Sequence, residues 1–442
     1  MEELRLAFIG FGSANRALAR MLLEKSESPD ADSHQRYLRI NSNNGSSDDG
    51  STRLVPWRVV CILTRRHGRV ACMGLPDVNH SEVDLEMALR CVESGGTLDR
   101  HSILEKEDFL PNLVEYNIAD THTDTERTLQ LITDLGENET SNIVVEAIPT
   151  NPFDGEPVIS FISQALKSGL HVVSANKSPL AHCNNNGEET YWQLQQLAAS
   201  NDVMYKHESS VMDGVPIFSF WQYTLPNAKL SSVRGCLNST TTQILTRMEG
   251  NLDEGGSSGE SFEEALSSAR QMGIVEEDES LDLDGYDAAV KLRALLVVLS
   301  SSSCSSAQES NVRIPTMNEI HQDSIRNVTG EDIRNAYANG RRKYRLVSEA
   351  KLVDVAEEGI ANDSTTTIEW EELAAKKWEA SVRLQLLPPS DPLYNLSGTD
   401  ASVQFCTDVL GPVTVVSSNP TLVDTAYGLF SDIVRVASEA NR

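Results

Sequence analysis

The sequence predicts an α/β protein: a doubly wound parallel sheet with a second, mixed α/β domain. Three observations carry that expectation. A Gly-x-Gly turn stands between the first strand-like run and the first helical run, strand and helix patterns alternate up to about residue 177, and the texture changes after residue 201.

Residues 4 to 9, LRLAFI, form a short apolar run, and Leu18, Met21 and Leu22 then recur at helical spacing. Between them lie Gly10 and Gly12, followed by Ser13, Ala14 and Asn15. The first glycine permits the tight turn and the second lets backbone approach a pyrophosphate. The helix N-terminus adds free N–H groups and partial positive charge. With a strand before and a helix after, the turn is expected to bind a dinucleotide in Rossmann fashion. Asn15 occupies the third glycine position of the fingerprint, so a larger residue must fit between helix and strand.

The polar tract at 28 to 52, rich in Ser, Asn, Asp and Gly, reads as a disordered surface insertion. WRVVCILTRR at 57 to 66 supplies a second buried strand. It ends in Thr64-Arg65-Arg66, with no acid to take a ribose 2′-OH. Two guanidinium forks suit a 2′-phosphate, so NADP is expected over NAD. Helical stretches at 83 to 92 and 126 to 135 follow, then a strand at 142 to 150, then helix, Gly169 and strand over 158 to 177. This alternation is that of a doubly wound sheet.

The first domain is placed at 1–180, completed by 405–442, and the second at 181–404. VMYKHESSV, SSVRGCLNST and RLQLLPP read as strands of a second sheet, with helices near 261 to 272 and 285 to 300. The serine-rich tract at 300 to 310 reads as an exposed loop, 402 to 416 as a hairpin, and 422 to 440 as a closing helix.

A formal charge of −28, from 65 acidic against 37 basic residues, argues against nucleic acid or an anionic membrane as partner. Seven scattered cysteines with no C-x-x-C spacing suggest neither a disulfide framework nor a zinc site. MEELRLAFIG shows no targeting signal, and no apolar run approaches the roughly 20 residues of a membrane span. A cytoplasmic protein is expected. His207 beside Glu208 has no second histidine at ligand spacing, so an ordinary histidine is the favoured reading.

HVVSANKSPLA (171 to 181) resembles a segment of the homoserine dehydrogenases, and other blocks follow in the order of that family. They are HESSVMDGVPI (207 to 217), GCLNSTTTQIL (235 to 245), SFEEALSSARQMGIVEEDESLDLDGYDAAVKL (261 to 292) and DPLYNLSGTDASVQF (391 to 405). The resemblance implies reversible reduction of L-aspartate 4-semialdehyde to L-homoserine with NADP or NAD, in threonine, methionine and isoleucine biosynthesis. It implies that Lys291 is the catalytic lysine and Lys177 a second one near substrate and nicotinamide. Glu276 and Asp287 are then substrate-binding acids, with Asp282 supporting, and Ser174, Gly273 and Glu276 lie where the cofactor approaches. Glu208, Val211, Asp213 and Val215 resemble a loop for a monovalent cation, usually sodium, held mainly by backbone carbonyls. A homodimer through the second sheet is implied as well.

The same residues make chemical sense. Aldehyde reduction needs a hydride donor, a cation near the developing alkoxide and a proton source, and a lysine can serve as the last two. Its ordinary pKa near 10.4 is high for neutral pH, and a second cation nearby would lower it. Asp287 and Lys291 are spaced i to i+4 on a helix beginning near Gly285, a spacing that also suits a plain surface ion pair. Glu277, Asp278, Glu279 and Asp284 read as solvated loop charges or as acids at a helix N-terminus, where they favour the positive helix end.

Four places depart from the family pattern. Asn15 replaces the third glycine, Ile148 stands for a threonine near the nicotinamide, Ser239 and Thr242 replace Gly and Asn, and Asn419-Pro420-Thr421 replaces Gly-Ala-Gly. Asp278-Glu279 also replaces Asp-Pro. Two alternatives therefore stay open: a non-catalytic homologue that binds dinucleotide or amino acid, and a dehydrogenase for another amino-acid semialdehyde.

Overall fold

The computed structural model describes residues 1–28, 35–41, 52–65, 67, 69–72, 82–98, 113–115, 124–184, 187–252, 259–275, 278–301, 312–354 and 376–440. The chain divides into two compact units, residues 1–179, 190–216 and 421–442 in one and 180–189 and 217–420 in the other.

The first unit carries β1 (Leu4–Ile9), α1 (Ser13–Glu24), β2 (Arg36–Asn41), β3 (Thr52–Leu63), β4 (Arg69–Cys72), α2 (Leu85–Glu93) and β5 (Leu113–Glu115). After these come α3 (Asp124–Glu137), β6 (Ile143–Glu146), α4 (Val158–Lys167), β7 (His171–Ser174), α5 (Thr190–Ser200) and β8 (Tyr205–Lys206). The sheet runs β5-β4-β3-β1-β6-β7-β8, with β2 also on β3. The five strands from β3 to β8 are parallel. β2, β4 and β5 join antiparallel at the other side.

Buried residues of α1 (Leu18, Ala19, Leu22), α2 (Ala88, Leu89) and the last helix of the chain (Leu429, Ile433, Val436) share one core with Leu6, Phe8 and Val145. β1 continues to β3 on one side while β6 returns on its other side, so the strand order reverses at β1. The crevice beyond the carboxyl end of such a strand is where this architecture takes ligands.

The second unit carries α6 (Ile217–Thr224), β9 (Leu230–Cys236), α7 (Ser239–Glu249), α8 (Phe262–Met272), α9 (Tyr286–Ser301), β10 (Val312–Arg313) and β11 (His321–Gln322). It continues with α10 (Gly330–Ala338), β12 (Lys343–Asp354), β13 (Lys376–Leu387), β14 (Ala401–Thr407) and β15 (Val413–Ser417). Its sheet runs β10-β13-β12-β9-β14-β15. Ile244 and Leu245 of α7, Leu266 of α8, Ala288 of α9 and Ile333 of α10 form a core against Leu346 and Val382. α11 (Leu422–Glu439) returns the chain to the first unit, where it packs on α1.

The structure differs from the sequence reading in four places. The polar tract at 28 to 52 holds a strand, β2, paired with β3 in register from Arg36↔Trp57 to Asn41↔Thr52. Residues 203 to 211 contribute Tyr205–Lys206 to the first sheet, parallel to β7, and not to the second. Residues 405 to 420 belong to the second unit, because β14 pairs with β9 and β15 with β14. Residues 190–216 belong to the first unit and not to the second, whereas 181–189 stay with the second as expected, where Arg293 of α9 donates to the Ala181 carbonyl at 2.7 Å and pairs with Glu189 at 2.7 Å. Most of the serine-rich tract at 300 to 310 lies outside the described residues. No described helix is long and apolar enough to cross a membrane.

Candidate active site

In the first unit, β1 ends at Gly10, whose φ of +90° disfavours any residue with a Cβ. A Cβ there would also lie 2.5 Å from Ile148 Cγ2. Gly12 is the N-cap of α1 with no side-chain cap, there is no acid in the first turn, and a Cβ on Gly12 would meet nothing within 4 Å. The first N–H groups of α1 thus have no side-chain cap, and the space beside Gly12 is open, which suits an anion. Ser13, Ala14 and Asn15 form that first turn. Asn15 is fully buried, and its amide Nδ2 donates to the Gly10 carbonyl at 2.6 Å. The larger residue is accommodated by tying down the turn itself.

Beyond β3, Thr64 is buried and its hydroxyl accepts from His67 N at 2.7 Å, while Arg65 is exposed. Arg66 lies outside the described residues. Ser174 is fully buried at the end of β7, and its hydroxyl donates to Glu146 at 2.5 Å. That hydroxyl is engaged inside the sheet, not presented to a ligand. Lys177 follows, half-buried, in the turn after β7.

In the second unit, β9 hands over to α7 at Asn238, whose side-chain oxygen accepts from Thr241 N at 2.8 Å as N-cap. Its amide nitrogen donates to Asp282 at 2.7 Å and to Asp287 at 2.9 Å. Lys291, one turn after Asp287 on α9, reaches that carboxylate at 2.9 Å and the Leu237 carbonyl at 3.0 Å. The Asp287 side chain is 4% exposed and that of Lys291 21%. The pair is therefore not a surface ion pair. Its lysine is aimed by a buried acid and a main-chain oxygen, and Asn238 binds both acids to the start of α7.

Of the sequence-predicted substrate residues, Asp282, Asp287 and Lys291 are thus brought together, and Glu276 lies outside the described residues. Gly273 ends α8 in the left-handed conformation, φ +69°. The neighbouring acids are exposed or half-exposed and make local pairs, and Glu279 is the N-cap of a short helix at Ser280–Leu283. Glu279 pairs with Arg270 at 2.6 Å, Asp284 with Arg326 at 3.0 Å, and Asp278 accepts from Ser280 N at 3.0 Å. Glu277 lies outside the described residues. Asn419 adopts φ +49° with its N–H on Asp400 at 2.9 Å, a left-handed conformation that asparagine tolerates better than most residues. Thr421 caps α11 in a capping box with Asp424.

The loop at 208–215 packs on α11 within the first unit. Glu208 is buried, pairs with Arg435 at 3.1 Å and donates its N–H to Asp432 at 2.8 Å. Burial pushes the Asp432 carboxyl up to about 7; the Glu208 N–H opposes this and the Glu208 charge adds to it. Val211 is extended, Asp213 has φ +54°, and Val215 follows Gly214 at φ +83°. His207 packs against the rings of Tyr191 and Tyr205, and burial pushes its pKa down to about 3. Among the described residues no group of three or more His, Cys, Asp and Glu is arranged to hold a metal ion.

Sequence reasoning assigned no role to Asn238, Glu146, Asp432 or Arg435. Only Asn238 carried a local signal, an asparagine directly before a Ser-Thr-Thr helix start.

The family model for homoserine dehydrogenase matches residues 216–434. An NAD(+)-dependent homoserine dehydrogenase of Pseudomonas canavaninivorans is 28% identical over all of this chain and 98% of its own length. A homoserine dehydrogenase of Methanocaldococcus jannaschii is 29% identical over 68% of this chain and 74% of its own. Among solved structures, a hyperthermophilic archaeal homoserine dehydrogenase in complex with NADPH matches in fold, with TM-score 0.62, 24% identity and 98% of each chain covered. One from Thiobacillus denitrificans matches with TM-score 0.62 and 20% identity over 99% of this chain and 74% of its own.

Proposed function

We infer that this chain, which belongs to the homoserine dehydrogenase family, is an NAD(P)-dependent oxidoreductase that interconverts L-homoserine and L-aspartate 4-semialdehyde. That reaction is a step toward threonine, methionine and isoleucine. The observation that carries the reading is the cluster of Lys291, Asp287, Asn238 and Asp282, with both acids buried. A non-catalytic binding protein has no need of a proton-transfer lysine, so the presence of Lys291 together with these acids favours the catalytic reading.

A dinucleotide fits the first unit, where Gly10 makes the tight turn and the open side of Gly12 and the uncapped start of α1 leave room for a pyrophosphate. When bound, it supplies or accepts the hydride. Lys291 places an ammonium where an alkoxide develops and can deliver its proton, while Asp287 and the Leu237 carbonyl hold the Nζ in place. Asp282 and Asp287, with Glu276, suit the substrate's ammonium group. Lys177, half-buried in the turn after β7, is by resemblance a second active-site lysine.

Arg65, exposed after β3, supports a preference for NADP through its match to a 2′-phosphate. A monovalent cation, sodium by resemblance, would rest on the carbonyl oxygens of Val211, Asp213 and Val215 with help from Glu208. Arg435 already meets the Glu208 carboxylate, so the carbonyls would supply most of the hold. A homodimer is expected from the family, and light scattering of the eluted protein tests it. The activity itself is tested by supplying L-homoserine with NADP⁺ and following NADPH absorbance. Tight NADPH binding without turnover would favour the non-catalytic alternative.

A further inference from the structure

Glu146 closes β6 and is fully buried, and in the sheet register it sits between Ile9 of β1 and Ser174 of β7. One carboxylate oxygen accepts from Ile148 N at 2.8 Å and from Asn176 Nδ2 at 3.2 Å. The other accepts from the Ser174 hydroxyl at 2.5 Å. Asn176 adds two bonds, from its Nδ2 to the Ile148 carbonyl at 2.8 Å and from its N–H to Ser174 Oγ at 3.0 Å. Burial raises the Glu146 pKa, and the donors from Ser174, Ile148 and Asn176 oppose that rise.

Sequestering a carboxylate at the end of an apolar sheet is unfavourable, and a leucine would serve packing better. The acid is spent on geometry. It fixes Ile148, which forms the wall against Gly10, and it fixes Asn176, the residue before Lys177. Three strand ends, β1, β6 and β7, are thereby set by one side chain at the carboxyl edge where this architecture takes ligands.

We propose that Glu146 is a positioning residue for the reaction, a buried clamp that sets the loops after β6 and β7 and so the placing of the nicotinamide and of Lys177. The proposal rests on the dinucleotide reading above. It does not require Glu146 to touch substrate or cofactor.

The test compares the wild type with Glu146→Ala and Glu146→Gln. The ligand is whichever of NADH and NADPH the wild type binds more tightly, and the control is the matching ADP-ribose fragment, which lacks nicotinamide. Glu146→Ala should weaken the whole dinucleotide about tenfold and the fragment less than twofold, and lower kcat for homoserine at least about tenfold, short of the roughly hundredfold that a fully misplaced catalytic group costs. Glu146→Gln should recover most of that loss, because its oxygen can still take Ile148 N and Asn176 while its amide donates to the Ser174 hydroxyl.

Equal weakening of dinucleotide and fragment would overturn the proposal, since it would mark general damage to the unit. A Glu146→Ala affinity ratio and kcat within about twofold of wild type would overturn it too, as would a Gln variant no better than Ala. Should Glu146→Ala fail to fold, Ser174→Ala serves, with an expected loss of about threefold in the dinucleotide-to-fragment ratio; an unchanged ratio overturns the clamp. Absence of turnover in the wild type would count against the proposed reaction alone, because the binding ratio reads Glu146 without turnover.

Discussion

Replacing Asn238 by alanine removes three hydrogen bonds with one side chain. Its oxygen caps α7 through Thr241 N at 2.8 Å, and loss of such a cap costs about 1 kcal/mol. Its amide serves Asp282 at 2.7 Å and Asp287 at 2.9 Å, and bonds to charged groups contribute about 1.5–3 kcal/mol each. The two share one donor group and are coupled, so the sum falls short of additivity and a loss of about 3–5 kcal/mol is expected. Urea denaturation followed by tryptophan fluorescence reads it, since Trp221 and Trp378 are buried in the second unit. Asn238→Asp keeps the cap acceptor but sets a third carboxylate beside two others, so it should lose nearly as much stability at pH 7. A loss below about 1 kcal/mol in the alanine variant, or an aspartate variant as stable as wild type, would refute the view that the amide holds the two acids together.

Gly10→Ala forces a Cβ onto Ile148 at a positive φ and should destabilise the first unit and reduce dinucleotide affinity more than tenfold. Gly12→Asp points into open space, so its melting temperature should stay near wild type while dinucleotide binding, read by calorimetry, is lost to repulsion of the pyrophosphate. Arg65→Gln should cut the ratio of kcat/KM for NADP⁺ over NAD⁺ by about tenfold, the scale of one charge-assisted phosphate contact. The Asp432 carboxyl has a folded pKa of about 7 against an ordinary 3.8, so the folded state binds the proton more tightly. Its stabilisation is full below about pH 4 and is lost as the pH rises through about 7. The stability advantage of wild type over Asp432→Asn should therefore shrink between about pH 4 and 7 and level off above that, and a pH-independent difference in urea midpoints would contradict the assignment.

What the sequence made legible was local. The strand, Gly-x-Gly and helix lie within twenty residues, and the i to i+4 spacing of Asp287 and Lys291 predicts their contact directly. Features set by distant partners were not legible. β2 was hidden because its six residues stand between Ser- and Asn-rich stretches, and only pairing with β3 makes them a strand. The hairpin at 402 to 416 was recognised as a hairpin but cut by a domain boundary at 405, since its neighbour β9 lies some 170 residues earlier. Asp432 and Arg435 reach Glu208 across more than 220 residues, and no periodicity encodes that meeting. Asn15 departs from the glycine pattern, yet its bond to the Gly10 carbonyl shows a second way of securing the same turn.

The central claim is that Lys291, aimed by Asp287 and the Leu237 carbonyl, provides the proton transfer of homoserine oxidation. Steady-state kinetics of Lys291→Ala with L-homoserine and NADP⁺, beside NADPH affinity from fluorescence, tests it most directly. The account predicts a fall in kcat of at least about a hundredfold with NADPH affinity within about threefold of wild type. A kcat within about tenfold of wild type would contradict it.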